Sequence, residues 1–518
     1  MSVEIGELLT DLDRIAELDL AEREEAIRRT GWIGRATEEE ISEILQAVLS
    51  RPPELDKLQE LLLTAVFRQV LSRQHAARED ASPLVLSDGL LAQAAAVCRH
   101  WGPHVRARSY LLCWFTAVRT PAALRTWTEL LVAAPPTDPD FVAAIFGPLF
   151  QHRDYDPSAL FPALLDGLKH VSLAAAILDL SNFLLRERIV PRHPAAARVQ
   201  ELSLLLAGLV GRLGQIETEP PREGSDVEAV SRQVKEGISL AVALCDALAL
   251  IGDKAAVGKL YQALELSHRR LRAEAAAALA RLGEEAGKQI LVQLAEEPVI
   301  RLRVLAYAEE LELLDQVAPQ YKTSQAKAEA DLALWLAQPA QMNVPPSRCE
   351  LVDSRRQAWP GYDEPVDCFL FRFVYAFQDS EFCNIGIAGP LTHAFAADLA
   401  DLPPDDIYAA FAGWHVDHED IYEVAVDSLD DIQRVDVARL ERRVRDAGYD
   451  AIVPTVLGFL LGDKALVATA MYQGVPGIVV ADRQQCAWWP RRGSLRPIDA
   501  DVAYCIYKGR KLLRAFNE

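Results

Sequence analysis

The hydrophobic rhythm of the chain changes part-way along. From the start to about residue 336, apolar residues return every three or four positions against a background of Ala, Leu, Glu and Arg, all good helix formers. Leu58, Leu61, Leu62, Ala65 and Val66 form one such stripe. Thr37-Glu38-Glu39-Glu40 reads as a capping box ahead of Ile41, Ile44, Leu45 and Val48. Prolines break the pattern at Arg51-Pro52-Pro53, at 134–139 and at 190–194, and the stretch from Glu217 to Asp226 predicts a loop inside the array. After about residue 347, β-branched and aromatic residues alternate in short runs. Gln338 to Ser347 lies between the two regimes, and its three prolines cannot continue a helix. The pattern predicts a helical domain over 1–340, a linker over 341–347 and a second domain over 348–518.

The helical regime repeats itself. Stretches beginning at Leu240, Leu271 and Leu302 are spaced 31 residues apart (271 − 240 and 302 − 271). Such a period marks stacked helical hairpins. Gly252 and Gly283 stand where the Ala-rich helix of each copy must end and turn. A second stripe follows, Val257, Leu260, Tyr261 and Leu264 in one copy and Ile290, Leu291 and Leu294 in the next. Neither helix can bury its stripe alone, so the copies must stack. Leu271-Arg272-Ala273-Glu274-Ala275-Ala276, followed by Leu282-Gly283, resembles the short HEAT repeats first recognised in phycobilisome lyases. The resemblance covers 238–315. The copy at Leu240 has Ala241 in place of the Arg, and the copy at Leu302 has Leu314 in place of the Gly. It implies an ARM/HEAT-type superhelical solenoid and a scaffolding role; lyase activity does not follow from the repeat.

In the second regime, Phe369, Phe371, Phe373 and Tyr375 share one face of a predicted strand that turns at 378–381 and returns through 384–389. A helix capped by Thr392 is expected through Leu399, another from Pro404 carrying Ile407, Ala410, Phe411 and Trp414, and a third over 435–447. A strand is read over 422–427, and a hairpin over 465–471 and 477–480. The fold class expected is mostly α, a solenoid followed by a smaller α+β domain with a largely antiparallel sheet.

Half the residues are hydrophobic and a quarter charged, as in a folded globular chain. A net charge of -21 repels phosphate backbones, which disfavours nucleic acid as a partner. The start lacks a basic region ahead of an apolar one, and apolar runs such as 203–210 and 452–461 are too short to span a bilayer. The eight cysteines are scattered, without a C-x-x-C pair, and read as reduced, mostly buried thiols of a cytoplasmic protein.

Four constellations bear on chemistry. His415 and His418 are three apart and, with His393, Cys383 or Glu423, have zinc-ligand chemistry, but they lack the zincin spacing; a solvated helix end is the plainer reading. Trp488, Trp489, Arg491 and Arg492 combine the aromatic and guanidinium groups of binding hot spots, the plainer reading being tryptophans that plug the core. Arg269 and Arg272 form a basic cluster at an inter-repeat turn that suits a concave binding face, or charge pairing with Glu265 and Glu274. Asp405-Asp406 and Asp430-Asp431 read as solvated first-turn acids, and the basic tail of Arg496, Lys508, Arg510, Lys511 and Arg514 as the neutralising counterpart of an acidic region of Asp401, Asp405, Asp406, Asp417, Glu419, Asp420 and Glu423. G-x-S-x-G, P-loop and kinase motifs are absent. The expectation is a non-catalytic scaffold or adaptor that binds a protein partner, without cofactor and without a membrane, using Trp414, Trp488, Trp489, Arg491, Arg492, Arg269 and Arg272. The rival is an enzyme with its chemistry in 348–518 and the solenoid selecting substrate.

Overall fold

The computed structural model describes residues 3–75, 86–136, 138–218, 226–376, 380–491 and 496–517. The chain divides into two compact units, Met1–Ile290 and Leu291–Glu518.

The first unit is a stack of helices: α1 (Val3–Arg14), α2 (Leu20–Arg29), α3 (Glu38–Leu49), α4 (Lys57–His75), α5 (Asp88–His100), α6 (Arg106–Val118), α7 (Pro121–Ala133), α8 (Pro139–Gln151), α9 (Val171–Arg186), α10 (Val199–Thr218), α11 (Val227–Ile251), α12 (Val257–Leu264) and α13 (Arg269–Arg281). The chain leaves this unit inside α14 (Glu285–Gln293). Packing alternates, so that the helices form two layers. One layer runs α4, α6, α8, α9, α11, α13, each packed on the next. In the other, α3, α5, α7 and a short 3₁₀ segment over 163–169 follow one another, and α10 packs on α12. That alternation is what a solenoid requires, since each hairpin buries its apolar stripe only against its neighbours. Thr37 and Glu40 form the expected capping box, and Ile41, Ile44, Leu45 and Val48 are buried. In α4 the buried set is Leu62, Leu63, Val66, Phe67 and Val70, with Leu61 exposed, because a helix inside a layer is covered on two sides. Gly252 and Gly283 end their helices at φ of 80° and 89°, a region where a Cβ is penalised. In the third copy the turn is made instead by Glu312 at φ 57°.

Buried polar groups tie the layers together. Arg108 of α6, 1% exposed, donates from Nε to the Cys98 carbonyl (2.9 Å) and from Nη2 to the Leu130 carbonyl (3.2 Å). It thereby ties the last turns of α5 and α7 together, adding a second donor to the Leu130 carbonyl, which also accepts the Ala134 N–H (3.2 Å). Burial lowers the Arg108 pKa, and the two carbonyls face its charge.

The second unit contains α15 (Pro298–Glu310), α16 (Ser324–Leu336), a sheet of β1 (Arg348–Gln357), β2 (Val366–Ala376), β3 (Glu381–Ala388) and β4 (His393–Ala394), then α17 (Pro404–His415), and a sheet of β5 (Ile421–Ala425), β6 (Tyr449–Leu460), β7 (Asp463–Tyr472), β8 (Val475–Ala481) and β9 (Cys486–Pro490), with α18 (Asp431–Asp446) after β5 and α19 (Ala500–Asn517) last. The structure has two sheets where one was expected, and every pairing is antiparallel. No helix forms over 392–399. Asn384 of β3 donates to the Phe395 and Ala397 carbonyls and accepts from the Leu399 N–H, holding that segment extended. The Pro-rich stretch before β1 lies within this unit: Tyr375 donates to the Val344 carbonyl (3.0 Å) and the Ser347 N–H to the Val374 carbonyl (2.7 Å).

The layers are α16, first sheet, α17 with α19, second sheet, α18. Ala328, Leu332 and Leu336 of α16 cover Phe369, Phe371, Phe373 and Tyr375. Val437, Leu440 and Val444 of α18 cover Leu457, Leu466, Ala468 and Val479. The inner faces of both sheets meet α17 and α19. The two halves repeat one design, an outer helix, four consecutive antiparallel strands (β1–β4 and β6–β9) and an inner helix, with β5 added at the edge of the second sheet. Their inner helices meet reciprocally: a Cβ on Gly413 would lie 1.9 Å from the Cys505 oxygen, and one on Gly509 would lie 1.8 Å from the Ala409 oxygen. Both pairs are related by the same 96-residue shift (509 − 413 and 505 − 409). Gly386 on β3 and Gly477 on β8 likewise face the carbonyls of His393 and Trp489, which are 96 apart (489 − 393), whereas the two glycines are 91 apart (477 − 386).

Candidate functional site

A large cavity opens in the first unit, on the α4–α6–α8–α9–α11–α13 layer. It is a groove of about 1000 Å³ between α8 and α11 with α9 as its floor. Val142, Ala143, Phe146 and Phe150 form one wall, Val171, Ser172, Ala175, Ala176 and Asp179 the floor, and Glu228, Ser231, Arg232, Lys235, Glu236 and Ser239 the other wall. A second groove, about 610 Å³, lies on the other side of α8 against α4 and α6, lined by Leu71, Tyr110, Cys113, Phe141, Ala144 and Gly147. Ala143 lines both.

The local sequence explains the shape. Between Asp140 and Gln151, α8 has no charged residue. Val142, Ile145, Phe146 and Leu149 face inward and are buried, while Ala143 and Ala144 are exposed. A helix face covered by alanines stands lower than one covered by Lys or Glu, so the ridge between the grooves is shallow. Pro148 has no N–H to offer the Ala144 carbonyl, which leaves that acceptor without its helical donor. The aromatic pairs Trp127–Phe146 (5.1 Å, edge-on) and Phe150–Phe183 (5.2 Å, edge-on) pin α8 to α7 and α9.

The far wall is held by a buried chain of hydrogen bonds. Asn182 of α9 donates to the Ala243 carbonyl of α11 (3.2 Å), and His193 bonds the Asn182 carbonyl oxygen through Nε2 (2.9 Å). His193 Nδ1 accepts from the Ala195 N–H (3.1 Å), which fixes the neutral Nε2–H tautomer. Burial lowers the His193 pKa from 6.5 to about 4.

In the second unit, Trp489 is buried in the core with Arg510 over its ring (5.3 Å), and Trp488 points to the other face beside Tyr449 and Tyr472. Adjacent residues on strand β9 face opposite sides, so the two tryptophans do not form one surface. Arg491 is exposed, and Arg492 lies outside the described residues. Trp414, 47% exposed, stacks on His393 (3.9 Å, 12°). Burial by its aromatic neighbours lowers the His393 pKa to about 4. His415 accepts at Nδ1 from the Trp359 indole (3.1 Å), and His418 accepts at Nδ1 from the Asp420 N–H (3.0 Å). Among the described residues, no three His, Cys, Asp or Glu side chains gather as a metal site. Arg269 is exposed and Arg272 half-buried on α13, and neither lines the grooves. The paired acids are not all solvated: Asp406, 16% exposed, holds Arg510 (2.7 Å) across α17 and α19. Lys511 instead bridges Asp463 (2.8 Å) and buried Asp482 (3.0 Å), acids outside the expected set.

Residues 236–312 match the family model for HEAT repeats. The chain carries HEAT repeats. The match spans α11 to α15, so the HEAT segment includes the charged wall of the larger groove from Glu236 onward. The comparisons with curated proteins and with solved structures each gave no match. HEAT repeats generally mediate protein–protein interaction, and no described helix of the chain is long and apolar enough to cross a membrane.

Proposed function

We propose that this protein is a non-catalytic scaffold or adaptor that captures a protein partner on the α8–α9–α11 groove, with the second unit as a further interaction surface around Trp414 and Arg491. The observation that carries the reading is the groove itself, a large cavity with an apolar α8 wall and small apolar residues Ala175 and Ala176 in its floor, built from consecutive helices of one solenoid layer. The cavity found in the second unit supports an enzyme less well. It holds about 310 Å³, and its charged residues Arg355, Arg356 and Asp367 are engaged in ion pairs with Asp353, Asp405 and one another. The acidic charge supports a partner other than nucleic acid, and the unpaired thiols support a cytoplasmic setting. The test is affinity purification of the intact protein beside an Ala143→Arg variant. Ala143 is exposed, so the variant keeps its fold while the new side chain fills the groove. Loss of a specific partner with the variant supports the reading, and equal recovery contradicts it.

A further inference from the structure

We infer that the occupant of this groove is an amphipathic α-helix of about three turns, with an apolar stripe toward α8 and α9 and charges of both signs toward α11. The inference rests on the proposed function and adds the class of partner. Its first support is dimension. Pro139 to Phe150 on α8 and Glu228 to Ser239 on α11 each cover three helical turns, about 16 Å at the α-helical rise. α8 and α11 flank α9, which packs against both. Neighbouring axes in a layer lie about 8–10 Å apart, so the walls stand about one helix diameter from each other across the floor.

The second support is charge. The α8 wall carries none over 141–150. The α11 wall carries Glu228, Arg232, Lys235 and Glu236, and none of these makes an ion pair among the described residues. A two-faced wall calls for a two-faced occupant. The charges on α11 fall at Glu228, at Arg232 and at the adjacent Lys235 and Glu236, so each of three successive turns carries charge: an acid, then a base, then a base beside an acid. A helix laid alongside repeats at the same pitch, 5.4 Å per turn, and stays in register over three turns. A strand presents one face every 6.6–6.8 Å and drifts out of register by about half a turn over the same length. The complementary helix carries a base opposite Glu228, an acid opposite Arg232 and both signs opposite Lys235 and Glu236.

The third support is the floor. Ala175 and Ala176 are small and half-buried, and Val171 is 52% exposed at the helix start. Small residues let a partner backbone approach closely, which a partner helix uses when it seats Leu or Phe at i, i+4 and i+7.

The test uses the full-length protein and a phage-displayed library of random 16-residue peptides. Enriched peptides should share apolar residues at i, i+3 or i+4, and i+7, with a base and an acid one turn apart on the opposite face. A synthetic peptide of the enriched sequence should bind in fluorescence polarisation, and Ala143→Arg should weaken it about tenfold or more. The double variant Arg232→Glu, Lys235→Glu should weaken it as well, and a peptide with its acids changed to lysines should recover binding to that variant. Enrichment of proline-rich or alternating peptides overturns the inference, as does no enrichment or a tight peptide insensitive to both variants. If Ala143→Arg releases a cellular partner while the selected peptides are extended, the groove stands as the binding site and the helical occupant falls.

Discussion

Replacing Gly413 by alanine places a methyl group 1.9 Å from the Cys505 carbonyl oxygen, against a normal carbon–oxygen contact of about 3.3 Å. The obstacle is helix backbone, which cannot rotate away as a side chain does. The axes of α17 and α19 must therefore part by more than an ångström, loosening the core they share with both sheets. Overpacking of this kind costs about 3 kcal/mol, and the better helix propensity of alanine returns about 1, for a net loss of about 2 kcal/mol. Gly509→Ala meets the same obstacle from the other side, at 1.8 Å from the Ala409 oxygen, and should cost as much. Reciprocity adds a sharper expectation. Once one methyl has forced the helices apart, the second finds room, so the double variant should lose clearly less than the sum. Gly208 on α10 is exposed with nothing within 4 Å of a Cβ, and Gly208→Ala should stabilise its helix by up to about 1 kcal/mol. The chain has two units and will not unfold as one, so the assay is hydrogen exchange read on peptides from α17 and α19, with first-unit peptides as internal reference. Faster exchange confined to the second unit, with a sub-additive double variant, is the expected result. Single variants as neutral as Gly208→Ala, or a strictly additive double, would refute the reciprocal packing.

Other outcomes follow from the same structure. Arg108→Met removes two charge-assisted bonds to helix-end carbonyls and should cost the first unit about 3 kcal/mol, seen as a lower urea midpoint for its exchange; an unchanged midpoint counts against the tying role. His193 has a folded pKa of about 4 against 6.5 unfolded, so the unfolded chain takes up the proton first. Stability is complete above pH 6.5 and declines as pH falls toward 4, by about 3 kcal/mol at most, and His193→Gln should flatten that part of the profile for α9 and α11. Burial pushes Cys98 and Cys113 up to about 12, whereas Cys383 is exposed. Brief iodoacetamide treatment of the native protein should label Cys383 first, by mass spectrometry of tryptic peptides, and early labelling of Cys98 contradicts its burial.

The sequence discloses what local chemistry dictates. The capping box at Thr37, the turn glycines 252 and 283 with their 31-residue spacing, and the Phe369–Tyr375 face are all written in neighbouring residues, and the structure has them; from α13 to α15 the step is 29 residues (298 − 269) where 31 was expected. What depends on distant partners is harder to read. Thr392 looks like a cap, but Asn384 claims the following segment. Trp488 and Trp489 look like one patch until pairing with β8 sends them to opposite faces. The duplication in the second unit leaves a faint trace, with Asp405, Tyr408 and Gly413 recurring as Asp501, Tyr504 and Gly509, too few positions to stand out without the reciprocal contacts. The groove has a legible signal too: a helix over 141–150 with no charge and with alanines where its exposed face should be polar. A surface helix ordinarily sets charged residues against water, so small apolar ones mark a face kept clear for something else.

The central claim is that a protein partner lies in the α8–α9–α11 groove. Site-specific photocrosslinking tests it most directly, with a benzophenone amino acid placed at Ala143 or Ala175 and, as reference, at exposed Arg212 of α10 in the other layer. A discrete protein adduct from the groove positions, absent from the Arg212 position, is the predicted result. Adducts that are missing from the groove, or equally abundant at Arg212, contradict the claim.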